Sequence, residues 1–574
     1  MKPAESKIII YQMMTRLFGN TNATNQPFGT LEENGVGKFN DITVSALNGI
    51  KELGVTHVWY TGVLEHALMT DYSAQGIPKD DPDVVKGLAG SPYSIKDYYD
   101  VNPDLAVNVK KRLNEFDQLV NRTHEAGLKV LIDFVPNHVA RTYHSDAKPE
   151  NAEDFGASDD QSKVFSPSNN FYYLPGESFQ VPVDHYNRFR RFYSGMDGRF
   201  DETPAKATGD DLFTSKPKAD SWFESIKLNY GVDYLNHQAT HFDSIPDTWN
   251  KMRDILVYWT GHGVDGFRCD MVQKVPVEFW RWVIPQVKAV NPEIIFIAEI
   301  YIPSLYRDYL DRGRFDFLYD KVQLYDTLRL LISGKPLASD IRDIQESLKP
   351  NNRHMVHFME NHDEQRIASP LFAGAAAKGL PAMVVSATID QGPVMIYFGQ
   401  EVGEPGAGAE GFGDNDGRTT IYDYWGVPEH QKWMNQGAFD GGQLSDAQKS
   451  LRAAYSRILT TARDHEAIRE GEYWDLTNHI LANKGSSNRV VSFARGTQDE
   501  KLIIMASFNY QAEQVRILLT PELADQWDIK PAQKYGLKDL LGDTTTVTLS
   551  RDQGAAFLLP AYGSRIYQVI PAPN

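Results

Sequence analysis

The sequence is nearly devoid of cysteine, since Cys269 is the single example in 574 residues. One cysteine excludes an internal disulfide, so nothing in the composition indicates an oxidising compartment. No stretch approaches the ~20 consecutive apolar residues of a membrane span. The N-terminus lacks the long apolar core and small-residue cleavage site of a secretory signal. We therefore predict no membrane partner, and a protein that is either cytoplasmic or exported with its signal peptide already removed.

Positive charge is also scarce. Lysine and arginine number 58 against 76 acidic residues, which gives a net charge of -18. Because nucleic acids and anionic membranes bind basic surfaces, we exclude a nucleic-acid partner. Aromatic residues reach 11% of the chain, which suits both a large core and a groove in which sugar rings stack. The length indicates two to four domains.

A unit of amphipathic helix, glycine and short apolar strand recurs at 41–60, 109–135 and 248–270. In the first unit, Asp41 is expected to cap the helix and Gly54 to end it. Helices that alternate with nearly all-apolar strands indicate parallel pairing, hence an α/β fold built on a (β/α)8 TIM barrel. The predicted strands are 8–11, 55–60, 128–134, 264–270, 294–299, 315–320, 355–361 and 394–401.

The repeat is interrupted at 139–236, a polar and aromatic stretch too long for a structureless loop in a compact domain. We predict an inserted domain there, directly after the third strand. Beyond a last helix at 445–465, short strand-like segments separated by turn residues predict a C-terminal antiparallel β-sandwich. The predicted domains are the barrel at 1–138 and 237–468, the inserted domain at 139–236 and the C-terminal sandwich at 469–574.

Four of the predicted strands end at or near an acidic residue. These residues are Asp133, Asp270, Glu299 and Asp363. An unpaired buried carboxylate is costly, so each is expected to face a solvated mouth. Because the carboxyl ends of barrel strands meet on one face, the four residues predict one shared polar site.

The segment GFRCD (266–270) places Arg268 and Asp270 on one face of an extended strand and Cys269 on the other. An arginine beside the aspartate keeps the carboxylate ionised, which suits a nucleophile. A salt bridge inside the barrel is the alternative. Glu299 follows an apolar run that should raise its pKa, and a protonated carboxyl can act as a general acid. Capping of the next helix is the alternative for Glu299.

Two further segments carry candidate sugar ligands. In FMENHDEQR, His362 and Asp363 could grip vicinal hydroxyls or, alternatively, belong to a turn with side-chain-to-backbone hydrogen bonds. In LIDFVPNH, Asn137 and His138 lie just past the strand, where capping of a loop is the alternative.

Taken together, these segments resemble the signature regions of the α-amylase family of glycoside hydrolases. DFVPNH (133–138), GFRCD (266–270), AE (298–299) and ENHD (360–363) match the four regions in order and spacing. GSPYSIKDYYDVNP (90–103) is similar to the family's tyrosine-bearing segment after the second barrel strand. The resemblance covers nearly the full chain.

The resemblance implies a role for each matching position. Asp270 corresponds to the nucleophile that forms a β-glycosyl-enzyme intermediate, Glu299 to the general acid/base, and Asp363 to the third carboxylate, which binds sugar hydroxyls. Retaining cleavage needs two carboxyl groups about 5–5.5 Å apart, one ionised and one protonated. The implied substrate-binding residues are Arg268 beside the nucleophile, His138 and His362 in the same subsite, and Tyr93 as the stacking aromatic.

The resemblance also implies a candidate cofactor. Asn137 occupies a position that holds a calcium ligand in many family members, which makes Ca²⁺ the one candidate cofactor. Lys274 stands where relatives often have a histidine, and a charged lysine side chain cannot bind a metal.

We predict a retaining α-amylase-type glycoside hydrolase that acts by double displacement on starch-derived glucans or maltooligosaccharides. The α-1,4 bond is the expected linkage, although Met271 after the nucleophile leaves α-1,6 cleavage open. A glucan transglycosylase of glucanotransferase or maltosyltransferase type could use the same site. The choice between transfer and hydrolysis depends on how the acceptor subsites exclude water, and no motif in the sequence reports that property. A non-catalytic glucan-binding relative is disfavoured, since all three carboxylates are present.

Overall fold

The centre of the fold is a closed barrel of eight parallel strands, in a computed structural model that describes residues 6–481 and 487–571. The strands are β1 (Ile9–Met14), β2 (His57–Thr61), β3 (Lys129–Phe134), β4 (Gly266–Cys269), β5 (Ile295–Ala298), β6 (Phe317–Tyr319), β7 (Met355–Phe358) and β8 (Val394–Tyr397). Each strand pairs with its neighbours in this order, and β1 closes the barrel on β8. All eight overlap the predicted strands, although several bounds differ by two to four residues, and the barrel prediction is confirmed.

Helices alternate with the barrel strands and cover their outer faces. Nearly every residue of the eight strands is buried, which explains why the strand sequences are continuous apolar runs rather than alternating ones. The main helices are Val44–Lys51, Arg112–Glu125, Asp247–Gly261, Val277–Val290, Tyr306–Asp311, Asp326–Ile332, Asp340–Leu348, Leu380–Thr388, Pro428–Met434 and Asp446–Asp464. None of the helices in the described part of the chain has the length and apolar run that crossing a bilayer would require.

The start of the first main helix differs from the prediction. Thr43, not Asp41, is the N-cap, and its side chain accepts a hydrogen bond from the Ala46 amide. The Asp41 carboxylate accepts a 2.7 Å hydrogen bond from the Lys38 amide within a preceding short turn, and so it cannot cap the helix. Gly54 ends this unit at a φ of 96°, a conformation that favours glycine, as predicted.

The inserted domain begins where β3 ends, as predicted. It consists of short antiparallel pairs and one helix, Val183–Phe189. The pairs are His138–Ala140 with Ser225–Lys227, Tyr173–Leu174 with Ala205–Lys206, and Val232–Asp233 with Ala239–Thr240. The first pair places Lys227 directly across from His138, next to the carboxyl end of β3. The inserted segment therefore forms a wall beside the barrel mouth.

A second, smaller insertion follows β2. The strand Leu64–His66 pairs antiparallel with Ile95–Val101, and Glu65 lies across from Asp97 in this pair. The loop that connects the two strands carries Tyr93 to the barrel mouth.

The C-terminal region is a β-sandwich of two antiparallel sheets, as predicted. Buried side chains of both sheets form one apolar cluster between them. The larger sheet is ordered Glu472–Asp475, Val490–Gly496, Lys501–Ser507, Ser564–Pro571, Lys534–Asp539 and Val547–Ser550, and the smaller is Ile480–Leu481, Glu513–Ile517 and Ala555–Leu559.

Two neighbouring strands of the larger sheet, Val490–Gly496 and Lys501–Ser507, are buried on both faces, which the predicted alternation did not anticipate. Ile503 and Met505 point into the sandwich, whereas Leu502 and Ile504 join the core of the barrel. The strand Lys501–Ser507 contacts the helix Leu380–Thr388 of the barrel. The sandwich is thus attached to the barrel by apolar packing.

Candidate active site

The three carboxylates predicted for catalysis border one cavity of about 500 Å³. Asp270 follows β4 directly, Glu299 follows β5 directly, and Asp363 lies in the loop after β7. All three therefore lie at the carboxyl end of the barrel, where barrel enzymes carry their reactive groups. The predicted sugar ligands Tyr93, His138 and His362 border the same cavity.

Arg268 lies behind the cavity wall and connects two of the carboxyl groups. Its side chain is 1% exposed, and one guanidinium nitrogen lies 2.9 Å from Asp270 Oδ1. The other nitrogen lies 2.7 Å from Glu299 Oε1. The contact with Asp270 is a hydrogen bond, whereas the contact with Glu299 is an ion pair without hydrogen-bond geometry. The side-chain alternation of β4 thus places Arg268 and Asp270 together, as predicted.

Glu299 receives hydrogen bonds on both oxygens. The Tyr301 hydroxyl donates to Oε1 at 2.6 Å, and the Met271 amide donates to Oε2 at 2.8 Å. Met271 has a φ of 44°, an uncommon conformation for a residue other than glycine. This turn directs its N–H at Glu299, so backbone strain contributes to the orientation of the carboxyl group.

The pKa values of the carboxyl groups differ because their neighbours differ. Burial raises the pKa of Glu299 to about 7, with Arg268 opposing the rise and Asp270 adding to it. Burial also raises the pKa of Asp270, while Arg268 and a hydrogen bond with Glu299 counteract that effect. For Asp363 burial is outweighed by His362, whose Nε2 lies 3.0 Å away, and the pKa falls below its usual value. The cavity therefore combines Glu299, whose pKa lies near neutral pH, with Asp363, whose lowered pKa keeps it ionised there.

The Tyr93 ring is held in position at the cavity wall. It stacks on the His362 ring with centroids 5.2 Å apart and an angle of 26° between the planes. The Tyr93 hydroxyl lies 2.7 Å from His362 Nε2 and donates to Asp133 Oδ1 at 3.3 Å. Asp133 also accepts a 3.1 Å hydrogen bond from the Trp59 indole. Among the four acidic residues at strand ends, Asp133 is the one that lies behind the cavity wall, where its hydrogen bonds hold Tyr93 and Trp59.

His138 borders the cavity as a neutral imidazole. Burial lowers the pKa of His138 to about 4. Its Nδ1 lies 3.2 Å from the Asn137 amide nitrogen, which must donate because Asn137 Oδ1 already accepts from Lys227 at 2.6 Å. Nδ1 is therefore the acceptor, and the ring proton is on Nε2. The Nε2–H group is then the donor of the hydrogen bond to the Tyr93 backbone, which opposes the lowering of the pKa.

The surroundings of Asn137 do not fit the predicted calcium ion. The Lys227 ammonium lies 2.6 Å from Asn137 Oδ1 and 2.6 Å from Asp211 Oδ1, and the Lys274 ammonium lies 2.5 Å from Asp211 Oδ2. Burial would raise the pKa of Asp211, but the two lysines hold it below its usual value. An internal ammonium thus occupies the place beside these oxygens where a metal ion would have to bind, and a second cation there would be repelled.

Other residues of the cavity wall were not predicted. Trp222 and Glu224 come from the inserted segment, and Lys86 and Tyr422 come from loops. No periodicity marks residues in such irregular segments, so no signal in the sequence pointed to them. Tyr301 was within reach of sequence reasoning, because it lies two residues beyond Glu299 and an extended chain would turn both to one side.

A smaller cavity of about 280 Å³ adjoins the first, and both are bordered by Lys86 and Tyr422. Its wall includes the aromatic rings of Phe189, Phe412 and Trp425. Apolar ring faces are the surfaces on which sugar rings stack. The two cavities together form a groove longer than a single sugar.

Comparison with known proteins identifies the family. Residues 12–482 match a family model described as "Alpha amylase, catalytic domain". An α-amylase from Streptomyces lividans is 26% identical over 462 residues, which cover 74% of this chain and 45% of that protein. This chain thus spans less than half the length of that relative. A cyclomaltodextrinase from a Bacillus species is 22% identical over 518 residues, or 87% and 72% of the respective chains.

Solved structures support the same assignment at the level of the fold. The crystal structure of an α-amylase from Geobacillus thermoleovorans, complexed with acarbose, superposes with a TM-score of 0.61 at 18% identity. The superposition covers 99% of each chain. With the family match over most of the sequence, the fold and the carboxylate-lined cavity lead to one conclusion: the chain belongs to the alpha-amylase family.

Proposed function

We propose that this protein is a retaining hydrolase of α-glucosidic bonds, α-1,4 bonds foremost, in maltooligosaccharides or starch-derived glucans. The observation that carries the proposal is that one guanidinium, that of Arg268, holds Asp270 at 2.9 Å and Glu299 at 2.7 Å on the wall of one cavity. The pKa of Glu299 at about 7 supports the protonated form that a general acid needs.

In the first step, a carboxylate oxygen of Asp270 bonds to the anomeric carbon while the glycosidic C–O bond breaks. Glu299 gives its proton to the departing oxygen, so the shortened glucan leaves as an alcohol. Positive charge develops on the sugar ring in the transition state. Asp363, whose pKa lies below the usual value, supplies a negative charge on the same cavity wall.

In the second step, water attacks the anomeric carbon and the bond to Asp270 breaks. Glu299, now ionised, takes a proton from the water and returns to its starting state. Two successive displacements retain the configuration of the anomeric carbon. Hydrogen bonds from Tyr301 and the Met271 amide keep Glu299 in one orientation through both steps.

The groove supports a substrate of several sugar units. Tyr93 provides a ring face beside the reacting carboxylates, and His138 provides a neutral imidazole in the same wall. Phe189 and Phe412 add ring faces in the adjoining cavity. An uncharged, hydroxyl-rich chain with apolar sugar faces matches these surfaces.

The proposal is tested by comparing Asp270→Asn with Asp265→Asn. Both replace an aspartate that flanks β4 with its isosteric amide, but Asp265 lies at the opposite end of the strand, where it accepts hydrogen bonds from Lys129 and the Val130 amide. We expect D270N to lose more than about 10³-fold in kcat/KM on maltoheptaose. D265N should lower the melting temperature and keep kcat/KM within about threefold.

Product analysis completes the test. The first products from maltoheptaose, examined by NMR within the first minutes, should be α-anomers, because two displacements retain the configuration. Initial β-anomers, or full activity of D270N, would contradict the mechanism. Products longer than maltoheptaose would assign the same site to glucan transfer.

A further inference from the structure

The smaller cavity of about 280 Å³ is bordered by segments from several parts of the chain. Phe28 belongs to the loop after β1, Lys86 to the insertion after β2, and Phe412 to the loop after β8. Arg188, in the helix Val183–Phe189, borders the cavity from the inserted domain. Because β8, β1 and β2 are neighbours in the barrel, the three barrel loops stand on one arc of its mouth.

The two reacting carboxyl groups lie on the opposite arc. Asp270 follows β4 and Glu299 follows β5. In the proposed mechanism, the leaving sugar takes its proton from Glu299 and therefore departs on that side. The smaller cavity lies on the other side, beyond Lys86 and Tyr422, which border both cavities. It therefore faces the sugars that stay attached to Asp270, and these lead to the non-reducing end of the glucan.

A first connection crosses from the loop after β1 to the inserted domain. The Phe28 ring stacks on Phe192, with centroids 4.2 Å apart and an angle of 21° between the planes. Its centroid also lies 6.0 Å from that of Phe189 and 6.5 Å from that of Tyr193, both in edge-on contacts. Such ring pairs stabilise a contact beyond the area they bury. Three of these four rings border the smaller cavity, namely Phe28, Phe189 and Tyr193.

A second connection crosses from the loop after β8 to the same helix of the inserted domain. Arg188 Nη2 donates a 2.5 Å hydrogen bond to the Gly413 carbonyl oxygen and lies 3.6 Å from Asp414 Oδ2. The loop is attached to the barrel as well, because the Gly417 carbonyl accepts a 2.8 Å hydrogen bond from the Arg366 amide. The inserted domain thus meets the barrel loops on two sides of the smaller cavity.

The charges around the smaller cavity suit an uncharged ligand. Lys86 Nζ lies 3.0 Å from Glu224 Oε2, and Arg188 pairs with Asp414. Both cationic side chains of the wall therefore already have carboxylate partners, so a phosphate or carboxylate group would gain little there. The other acidic residues of the wall, which would repel an anion, are Asp220 and Asp423.

We propose that these two connections close the substrate groove beyond the smaller cavity, so that the enzyme cleaves glucans near the non-reducing chain end rather than at internal bonds. Phe28 and Arg188 are the specificity-determining residues, since each joins a barrel loop to the inserted domain. A chain that continued past the cavity would collide with these contacts, which excludes internal segments by steric conflict. The inference rests on the proposed function, because it assigns the orientation of the substrate from the roles of Asp270 and Glu299.

The first test compares a large-ring cycloamylose with linear amylose of the same mean length. A ring has no chain end, so only a groove that is open on both sides can admit it. We expect kcat/KM on cycloamylose to be at least about 10²-fold lower than on amylose. Equal values on the two glucans would overturn the inference and leave the proposed function in place. No cleavage of either glucan would overturn the proposed function, and the inference with it.

The second test identifies the chain end that the groove accepts. Amylose with a fluorescent label at its reducing end should first release short unlabelled oligosaccharides, while the label stays on the polymer. Early appearance of the label in short products would place the closed end on the leaving-group side, which would overturn the inference.

The double variant Phe28→Ala/Arg188→Ala should open the groove. Phe28 is half-buried and Arg188 is exposed, so the chain should still fold, which its melting temperature would report. We expect the ratio of kcat/KM on cycloamylose to that on amylose to rise at least about tenfold. Arg191→Ala is the matched control, because Arg191 is exposed in the same segment and borders neither cavity. Its ratio should equal that of the unmodified protein. An unchanged ratio in the folded double variant would contradict the role of Phe28 and Arg188.

Discussion

The Tyr301 hydroxyl donates a 2.6 Å hydrogen bond to Glu299 Oε1, and this bond stabilises the ionised form of a carboxyl group whose pKa is about 7. Its removal should raise that pKa further. As a general acid, Glu299 acts while protonated, and activity is lost as the pH rises through its pKa. We therefore expect Tyr301→Phe to shift the alkaline limb of kcat/KM by about 0.5–1 pH unit toward higher pH.

A series of kcat/KM measurements from about pH 5 to 9 would record this shift. Tyr309→Phe is the matched control, since the Tyr309 hydroxyl donates to the carbonyl oxygens of Val272 and Val275 rather than to a carboxyl group. Its alkaline limb should coincide with that of the unmodified protein. A limb in Y301F that stays in place or moves to lower pH would show that Tyr301 does not tune Glu299.

Glu299→Gln separates the acid step from the nucleophilic step. On maltoheptaose we expect kcat/KM to fall by about 10³-fold, because the departing sugar oxygen needs a proton. An aryl maltoside with a nitrophenolate leaving group needs none, so stopped-flow absorbance should still show a burst of one phenolate per enzyme. Loss of both reactions, with the protein still folded, would argue against the acid role.

Glu360→Gln is the control for that experiment. Glu360 is also buried with a pKa of about 7, owing to burial, but it pairs with Arg366 and does not border the cavity. We expect E360Q to lower the melting temperature while kcat/KM changes by less than about threefold. With these outcomes, the comparison of E299Q with E360Q would show that a raised carboxyl pKa indicates a catalytic residue only where the carboxyl group contacts the substrate.

Arg268→Lys should uncouple the two reacting carboxyl groups. A lysine ammonium is a single point charge and cannot contact Asp270 and Glu299 together in the way the planar guanidinium does. We expect kcat to fall about 10²-fold or more. In Arg366→Lys, a buried arginine outside the cavity undergoes the same change, and only the melting temperature should fall. Equal kcat losses in both variants would reduce Arg268 to a structural role.

Lys227→Met removes the internal cation next to Asn137. Its side chain is 2% exposed, and the substitution leaves the oxygens of Asn137 and Asp211 without their ammonium partner. Breaking a buried ion pair costs about 3–5 kcal/mol in the free energy of unfolding, which denaturant titration would measure. Lys163→Met, which breaks an exposed pair with Asp160, should leave the unfolding curve unchanged. Equal curves for both variants would contradict the role assigned to Lys227.

The barrel and the carboxylates at its mouth were predictable because they depend on local alternation. Once the strand β4 is extended, Arg268 and Asp270 must share a side, and barrel closure brings Glu299 to the same end. The relation between Asn137 and Lys227 was not predictable. Lys227 belongs to the inserted segment, whose sequence has no helical or strand periodicity. Its side-chain contacts therefore depend on tertiary packing alone.

The same reasoning explains what was missed at the C-terminus. The sequence predicted the strand Lys501–Ser507 as part of a sandwich. Both faces of this strand are buried, and its sequence does not indicate which element covers the second face. That element is the helix Leu380–Thr388, whose surroundings are set by the tertiary fold.

This packing has a consequence for the use of the protein as a scaffold. Every residue of Leu380–Thr388 after the first is buried, partly beneath the C-terminal sheet. A truncation that ends the chain after the last barrel helix would leave this helix with an uncovered apolar surface, a liability for aggregation. The C-terminal sandwich is therefore not an exchangeable accessory, and engineering of shorter variants has to redesign that surface first.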